Sequence, residues 1–133
     1  MESRREVQFY RDEAGQCEVA EQLRALKDAK LVAKIRRRLL ILATWKWEDL
    51  IDSGTVVELR GGDEVFELKL AGSGRWGMRL FFARSRCSGP EALIVTELES
   101  RRVLNRRGRY AAAIARAERL RAEWNRRHCG DKP

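Results

Sequence analysis

The spacing of apolar residues changes several times along the chain, and each change marks a different predicted element. Residues 7–10 alternate in period two, which predicts a short first strand. From Val19 the apolar residues recur at helical spacing, and Asp28 is placed to cap a second helix. The apolar positions of the two helices are Val19, Ala20, Leu23 and Leu26, then Val32, Ile35, Leu39, Leu42 and Trp45.

Four strand-like runs joined by glycine-containing turns follow Gly54. The runs cover residues 57–60, 65–70, 77–82 and 93–98, with turns at 61–63 and 71–74 and a loop at 87–90. Such a series predicts an antiparallel meander. Helical spacing then returns, with Ile114, Ala117, Leu120 and Trp124 as an apolar edge.

The predicted fold class is therefore α+β. An N-terminal strand and two helices precede an antiparallel four-stranded meander, and a basic helix ends the chain. We expect one domain over residues 1–133, with residues 128–133 disordered.

All of the excess positive charge of the chain lies between Arg101 and Arg127. This stretch holds ten arginines against Glu118 and Glu123, whereas the rest of the chain carries 18 basic and 18 acidic side chains. Concentrated positive charge attracts a polyanion, and guanidinium groups fit phosphate oxygens. The expected partner is nucleic acid or an acidic protein segment. The alternative is a solvated helix in which arginine merely replaces lysine.

The composition argues against a membrane protein and against a metal enzyme. The N-terminus lacks the apolar segment of a signal peptide, and the longest apolar run, Leu39–Ala43, is too short to span a bilayer. Cys17, Cys87 and Cys129 are odd in number and lack metal-binding spacing, so we interpret them as reduced, incidental thiols. We expect a cytoplasmic protein with no metal, no cofactor and no membrane partner.

Few conventional catalytic residues are present. His128, the one histidine, lies in a polar tail, which predicts an unstructured terminal residue. Four glutamates could line one sheet surface, but we interpret them as solvated strand positions paired with Arg60 and Lys69. They are Glu58, Glu67, Glu97 and Glu99.

RNA can be cleaved without a metal because its own 2'-hydroxyl can attack the adjacent phosphate. The protein must bend the RNA, stabilise charge on the phosphorane and move protons. Period-two alternation places Arg79 on the same strand face as Phe81, opposite Met78 and Leu80. Phe81 could then stack on a base beside the Arg79 charge; the alternative is a surface arginine that covers an exposed ring.

Several motifs, in this order, resemble the RelE/ParE toxin superfamily, on the HigB-like, phage-derived branch of type II toxin–antitoxin toxins. Val65–Lys69 is similar to that branch's Tyr-Glu-Leu-Arg strand, and residues 79–82 are similar to its Arg-Val-aromatic-aromatic strand. The opening segment from Val7 and the terminal helix up to Trp124 are similar as well. The resemblance thus covers most of the chain.

The resemblance implies a metal-independent endoribonuclease that cleaves mRNA, free or on the ribosome, and that a cognate antitoxin neutralises. It implies catalytic roles for Arg79 at the scissile phosphate, for Lys69 at its strand end, and for Arg101 and Arg102. The expected RNA-binding residues are Phe81, Arg106, Arg107, Arg109, Tyr110, Arg116 and Arg119.

Two departures from the family pattern leave the proton-transfer residue open. Thr96-Glu97-Leu98 stands where the branch has His-Gly-Phe, and residues 105–108, Asn-Arg-Arg-Gly, stand in place of Lys-Thr-Pro. Tyr110 or Glu97 could move the proton. The alternative functions are non-catalytic binding of RNA, of a ribosome or of a host protein, and inhibition of DNA gyrase in the manner of the ParE branch.

Overall fold

A computed structural model describes residues 4–59, 64–70, 77–87 and 90–129, which form a five-stranded sheet with helices on both faces. The N-terminal half contains β1 (Glu6–Phe9), α1 (Glu18–Ala25), α2 (Ala29–Thr44), α3 (Trp47–Asp52) and β2 (Val56–Glu58). The C-terminal half contains β3 (Val65–Lys69), β4 (Met78–Ser85), β5 (Ala92–Ser100), α4 (Arg101–Leu104) and α5 (Arg109–Cys129). The predicted α+β class is confirmed.

The sheet has the strand order β1-β5-β4-β3-β2, which differs from a simple meander. Strands β2 to β5 pair antiparallel, as predicted. Strand β1 lies beside β5 and runs parallel to it, so the sheet is mixed. The short helices α3 and α4 were not predicted, and the predicted turns at 61–63 and 71–74 lie outside the described residues.

Helices α1, α2 and α3 cover one face of the sheet. Asp28 caps α2 as predicted, because its carboxylate accepts a hydrogen bond from the backbone N–H of Leu31 at 3.0 Å. The apolar positions that alternate along the strands pack against these helices, which confirms the predicted core face. They include Phe66, Leu68, Leu80, Phe82, Leu93 and Val95.

Helix α5 covers the opposite face and contacts β4 and β5. Ala113 and Ala117, one turn apart, are small enough to let the helix approach Val65 and Phe81 closely. Further along α5, Trp124 packs against Ile94. Both faces of the sheet are therefore buried.

The end of α5 contradicts two expectations. His128 and Cys129 are helical, and the His128 ring stacks on Trp124 with centroids 4.1 Å apart, so the prediction of disorder is wrong for these two residues; residues 130–133 lie outside the described ranges. Cys87 and Cys129 are placed to form a disulfide, with Cα atoms 5.8 Å apart, because α5 ends beside the end of β4. The interpretation of these two thiols as incidental is therefore wrong, because the fold brings them together; Cys17 is buried and free.

Across the described ranges, we find no helix with both the length and the apolar character needed to cross a membrane.

Candidate functional site

An irregularity in β5 turns its acidic residues toward α5. Phe82 pairs with Val95 whereas Phe81 pairs with Glu97, so Thr96 is an extra residue in β5. The Thr96 hydroxyl donates a hydrogen bond to the Phe81 carbonyl at 3.3 Å. A bulge of this kind shifts the following residues to the other face of the strand. Glu97 therefore shares the α5 face of the sheet with Phe81 and does not lie in the core under α1, α2 and α3.

Glu67 and Glu97 are buried carboxylates that flank Phe81 in one row across the sheet. Each residue is 4% exposed, so the interpretation of both as solvated strand positions is wrong. The reason is that α5 covers the face on which they lie. Burial raises the pKa of each carboxyl above its ordinary range, since the charged form loses its hydration.

Glu67 lies among three basic residues for which the family resemblance implies catalytic roles. Arg79 is the nearest, with its Nε atom 3.5 Å from Glu67 Oε1. Against the effect of burial, Arg79, Lys69 and Arg101 all lower the pKa of Glu67. Lys69 is opposite Arg79 in the β3–β4 register. We call Glu67, Arg79, Lys69 and Arg101 the Glu67 cluster.

Hydrogen bonding in the Glu67 cluster is incomplete. Among the described residues, neither Oε2 of Glu67 nor Nε of Arg79 has a hydrogen-bond partner, although both atoms are buried. Arg79 does donate from Nη1 to the carbonyl of Met78 at 3.1 Å. Gly77 leaves room for this guanidinium, because a Cβ at that position would be 3.2 Å from Arg79 Nη1. The cluster therefore retains one carboxylate oxygen that can accept a further hydrogen bond.

Glu97 has a different environment, in which a guanidinium donates a hydrogen bond directly to the carboxylate. Arg109, the first residue of α5, donates to Glu97 at 2.9 Å and to Glu99 at 3.2 Å. Arg109 and Arg116 lower the pKa of Glu97 against the larger effect of burial. Arg116 also forms an ion pair with Glu18 of α1. Two of the arginines predicted to bind RNA are thus engaged in internal ion pairs.

Exposed arginines surround the turn between β5 and α5, and we call this surface the arginine turn. It consists of Arg101, Arg102, Arg106 and Arg107, all of which are exposed. The backbone N–H of Arg101 donates to the carbonyl of Gly77 at 2.8 Å, which fixes the start of α4 beside the start of β4. The arginine turn therefore adjoins the Glu67 cluster, whereas Arg119 is exposed about three turns along α5.

The ring of Phe81 is fully buried, so the expectation of an exposed ring beside Arg79 is wrong. It packs under Ala113 and Ala117 and meets the partly buried ring of Tyr110 edge-on at 5.7 Å. The side chain of Arg79 does share this face, as predicted, but it is only 14% exposed. The alanine spacing of α5 was the available signal that this face is covered.

Comparisons with protein-family models, with curated proteins and with solved structures found no match to this chain.

Proposed function

We propose that this protein is a cytoplasmic toxin of a type II toxin–antitoxin system, from the HigB-like branch of the RelE/ParE superfamily. In this proposal it cleaves mRNA as a metal-independent endoribonuclease, and a cognate antitoxin neutralises it. The observation that carries the proposal is the Glu67 cluster. It combines a buried carboxylate of raised pKa, an adjacent guanidinium and an exposed basic surface.

Glu67 supplies the general base. A base works best when its pKa is close to the working pH, and burial moves the pKa of Glu67 in that direction. Its Oε2 atom has no hydrogen-bond partner among the described residues, so it can accept the proton of a 2'-hydroxyl. Because Glu67 is 4% exposed, the substrate reaches it by moving the Arg79 side chain, which holds it by charge and not by a direct hydrogen bond.

Arg79 stabilises the reacting phosphate. As the 2'-oxygen forms a bond to phosphorus, its proton passes to Glu67 and negative charge builds up on the phosphorane oxygens. The Arg79 guanidinium, displaced toward the phosphate but still beside the base, stabilises that charge. The bond from phosphorus to the 5'-oxygen then breaks and the 5'-oxygen takes a proton from solvent. The products are a 2',3'-cyclic phosphate and a 5'-hydroxyl.

The arginine turn and Lys69 bind the flanking phosphates. All five side chains are exposed, and they adjoin the buried pair on one side of the sheet. Contacts of this kind carry affinity without sequence preference and weaken as salt rises. They therefore account for substrate binding and leave the choice of cleavage site to other contacts.

The test uses purified protein, bulk mRNA with and without ribosomes, and EDTA, with cleavage mapped by primer extension. Glu67→Gln should reduce the cleavage rate by about 10²–10⁴-fold, the usual contribution of a general base. Glu58→Gln is the matched control, because Glu58 is an exposed carboxylate on β2. Full activity of a folded Glu67→Gln variant would refute the assignment.

RNA binding without cleavage is the second candidate function, and the burial of Glu67 favours it. Glu67 is 4% exposed and two α5 arginines are engaged in internal ion pairs. In this case the wild-type protein binds RNA with a steep salt dependence and yields no new 5' ends, either with or without ribosomes. That result would remove the catalytic proposal and retain the arginine turn as a binding surface.

A further inference from the structure

Strand β1 is at one edge of the sheet, and its outer backbone groups face away from β5. The parallel ladder uses the N–H groups of Glu6 and Tyr10, which donate to Glu91 at 3.0 Å and to Val95 at 2.9 Å. Successive residues of a strand direct their backbone N–H and C=O groups to opposite edges. Gln8 therefore faces β5, as Glu6 and Tyr10 do. The backbone groups of Val7 and Phe9 point outward, where no described strand pairs with β1.

A groove of about 450 Å³ follows this outer edge. Helix α2 bounds the groove on one side of the sheet, and the last turn of α5 bounds it on the other. Its lining residues are Val7, Gln8, Phe9, Arg11, Leu39, Trp124, Arg127 and His128. The edge is thus a slot between two helices, with backbone donors and acceptors at its base.

The two walls of the slot differ in chemistry. Val7 and Phe9 turn their side chains to the α2 side, where Leu39 packs with them on the apolar core. On the α5 side the wall is cationic, because Arg127 lies there, held by a hydrogen bond to the Arg11 carbonyl at 2.8 Å. The described residues that line the slot include no carboxylate, although Gln8 donates to the Glu6 carboxylate at 2.7 Å on the same face of β1.

These two walls define the partner. In a sheet, side chains of paired strands in the same row point to the same face. Residues of an added strand opposite Val7 and Phe9 would therefore meet the apolar α2 wall. Residues opposite Gln8 would meet Arg127. The complementary sequence alternates apolar residues with aspartate or glutamate.

We propose that the outer edge of β1 binds an extended acidic segment of a partner protein, which adds to the sheet as a sixth strand. Strand addition supplies affinity through backbone hydrogen bonds, and the pockets for alternate side chains supply selectivity. The proposal is independent of RNA cleavage, because the Glu67 cluster is on β3 and β4 and the slot is beside β1.

The first experiment is calorimetric titration of the full chain with two synthetic peptides of about eight residues. One alternates valine with glutamate, and the other alternates valine with lysine. The glutamate peptide should bind saturably, and the lysine peptide should bind at least about tenfold more weakly. Failure of the glutamate peptide to bind would overturn the proposal.

Variants at two positions test the two features of the slot. Phe9→Ala loses the ring but keeps the outward N–H, and Phe9→Pro loses both without breaking a hydrogen bond to β5, so Phe9→Pro should bind the peptide about tenfold or more weakly than Phe9→Ala. Arg127→Glu should reverse the preference, so that the lysine peptide binds better than the glutamate peptide. Arg119→Glu is the matched control on the same helix and should change neither affinity.

Circular dichroism of each variant establishes that the fold is intact. Equal affinity of the glutamate peptide for the wild type and for the folded Phe9→Pro and Arg127→Glu variants would place its binding elsewhere and would overturn the proposal. A chain that sediments as a dimer and binds neither peptide would show that a second copy occupies the β1 edge. That outcome also excludes a foreign acidic segment.

Discussion

Replacing Arg79 by methionine removes the charge nearest to the buried Glu67 carboxylate and keeps a side chain of similar length. The Nε–Oε1 distance is 3.5 Å, and the two side chains are 14% and 5% exposed. Two unit charges at this distance attract by about 5 kcal/mol at an effective dielectric constant of about 20. Because Lys69 and Arg101 also act on Glu67, we expect a smaller loss, about 3 kcal/mol in the free energy of unfolding at neutral pH.

This loss should depend on pH, because it arises from a buried carboxylate without its nearest counter-charge. Burial raises the pKa of Glu67 and Arg79 lowers it, so the Arg79→Met variant has a still higher folded-state pKa. A carboxyl whose folded pKa exceeds its unfolded value of about 4.3 binds more protons when folded. The stability of the folded protein therefore falls as the pH rises from the unfolded-state pKa of this carboxyl to its folded-state pKa. Wild type and variant should differ most at neutral pH and converge toward about pH 4.

Urea unfolding, followed by tryptophan fluorescence at about pH 7 and about pH 4, measures both quantities. Lys34→Met is the matched control, since it removes an exposed charge on α2 that does not act on Glu67, and it should change stability by about 0.5 kcal/mol or less. A double variant, Arg79→Met with Glu67→Gln, should recover most of the loss. An equal loss at both pH values would show that Arg79 acts through packing and would refute the electrostatic account.

Three further predictions test other parts of the structure. Phe81→Ala should lower the free energy of unfolding by about 3–5 kcal/mol in urea, because its ring is fully buried under α5; a change below 1 kcal/mol would place the ring at the surface. Cys129→Ser opens a disulfide with a sequence separation of 42, which should cost about 4 kcal/mol of stability. A reductant should destabilise the wild type equally and leave the variant unchanged. Replacing Arg106 and Arg107 by glutamine should reduce the slope of log binding constant against log salt by about 1.4 for single-stranded RNA. An unchanged slope would remove the arginine turn from the interface.

The alternating patterns predicted most of the fold because they record which side chains face the core. The apolar sets on β3 and β4 and the cap at Asp28 were both confirmed. The place of β1 could not be predicted, because its pairing with β5 joins segments about 85 residues apart and local pattern contains no information on such pairing. Helices α3 and α4 span six and four residues, too few to show helical periodicity.

The sequence pointed to the basic residues of the candidate site but not to its buried glutamates. The resemblance pointed to Arg79, Lys69 and Arg101, which do surround one carboxylate. The burial of Glu67 was missed because alternation separates two strand faces without telling which of them another element covers. The position of Glu97 was missed because it depends on the bulge at Thr96, which no local signal marks.

Stability alone does not account for two buried glutamates beside Phe81. Apolar residues in place of a buried ion pair often leave a protein equally stable or stabilise it by about 1–4 kcal/mol. The burial of a carboxylate at position 97 has a structural explanation, because the hydrogen bond that Glu97 accepts from Arg109 fixes the start of α5 on the sheet. Glu67 has no equivalent bond on Oε2 among the described residues, and its contact with Arg79 is an ion pair without a direct hydrogen bond. This difference favours Glu97 as the anchor of the last helix and Glu67 as the carboxylate that meets a substrate.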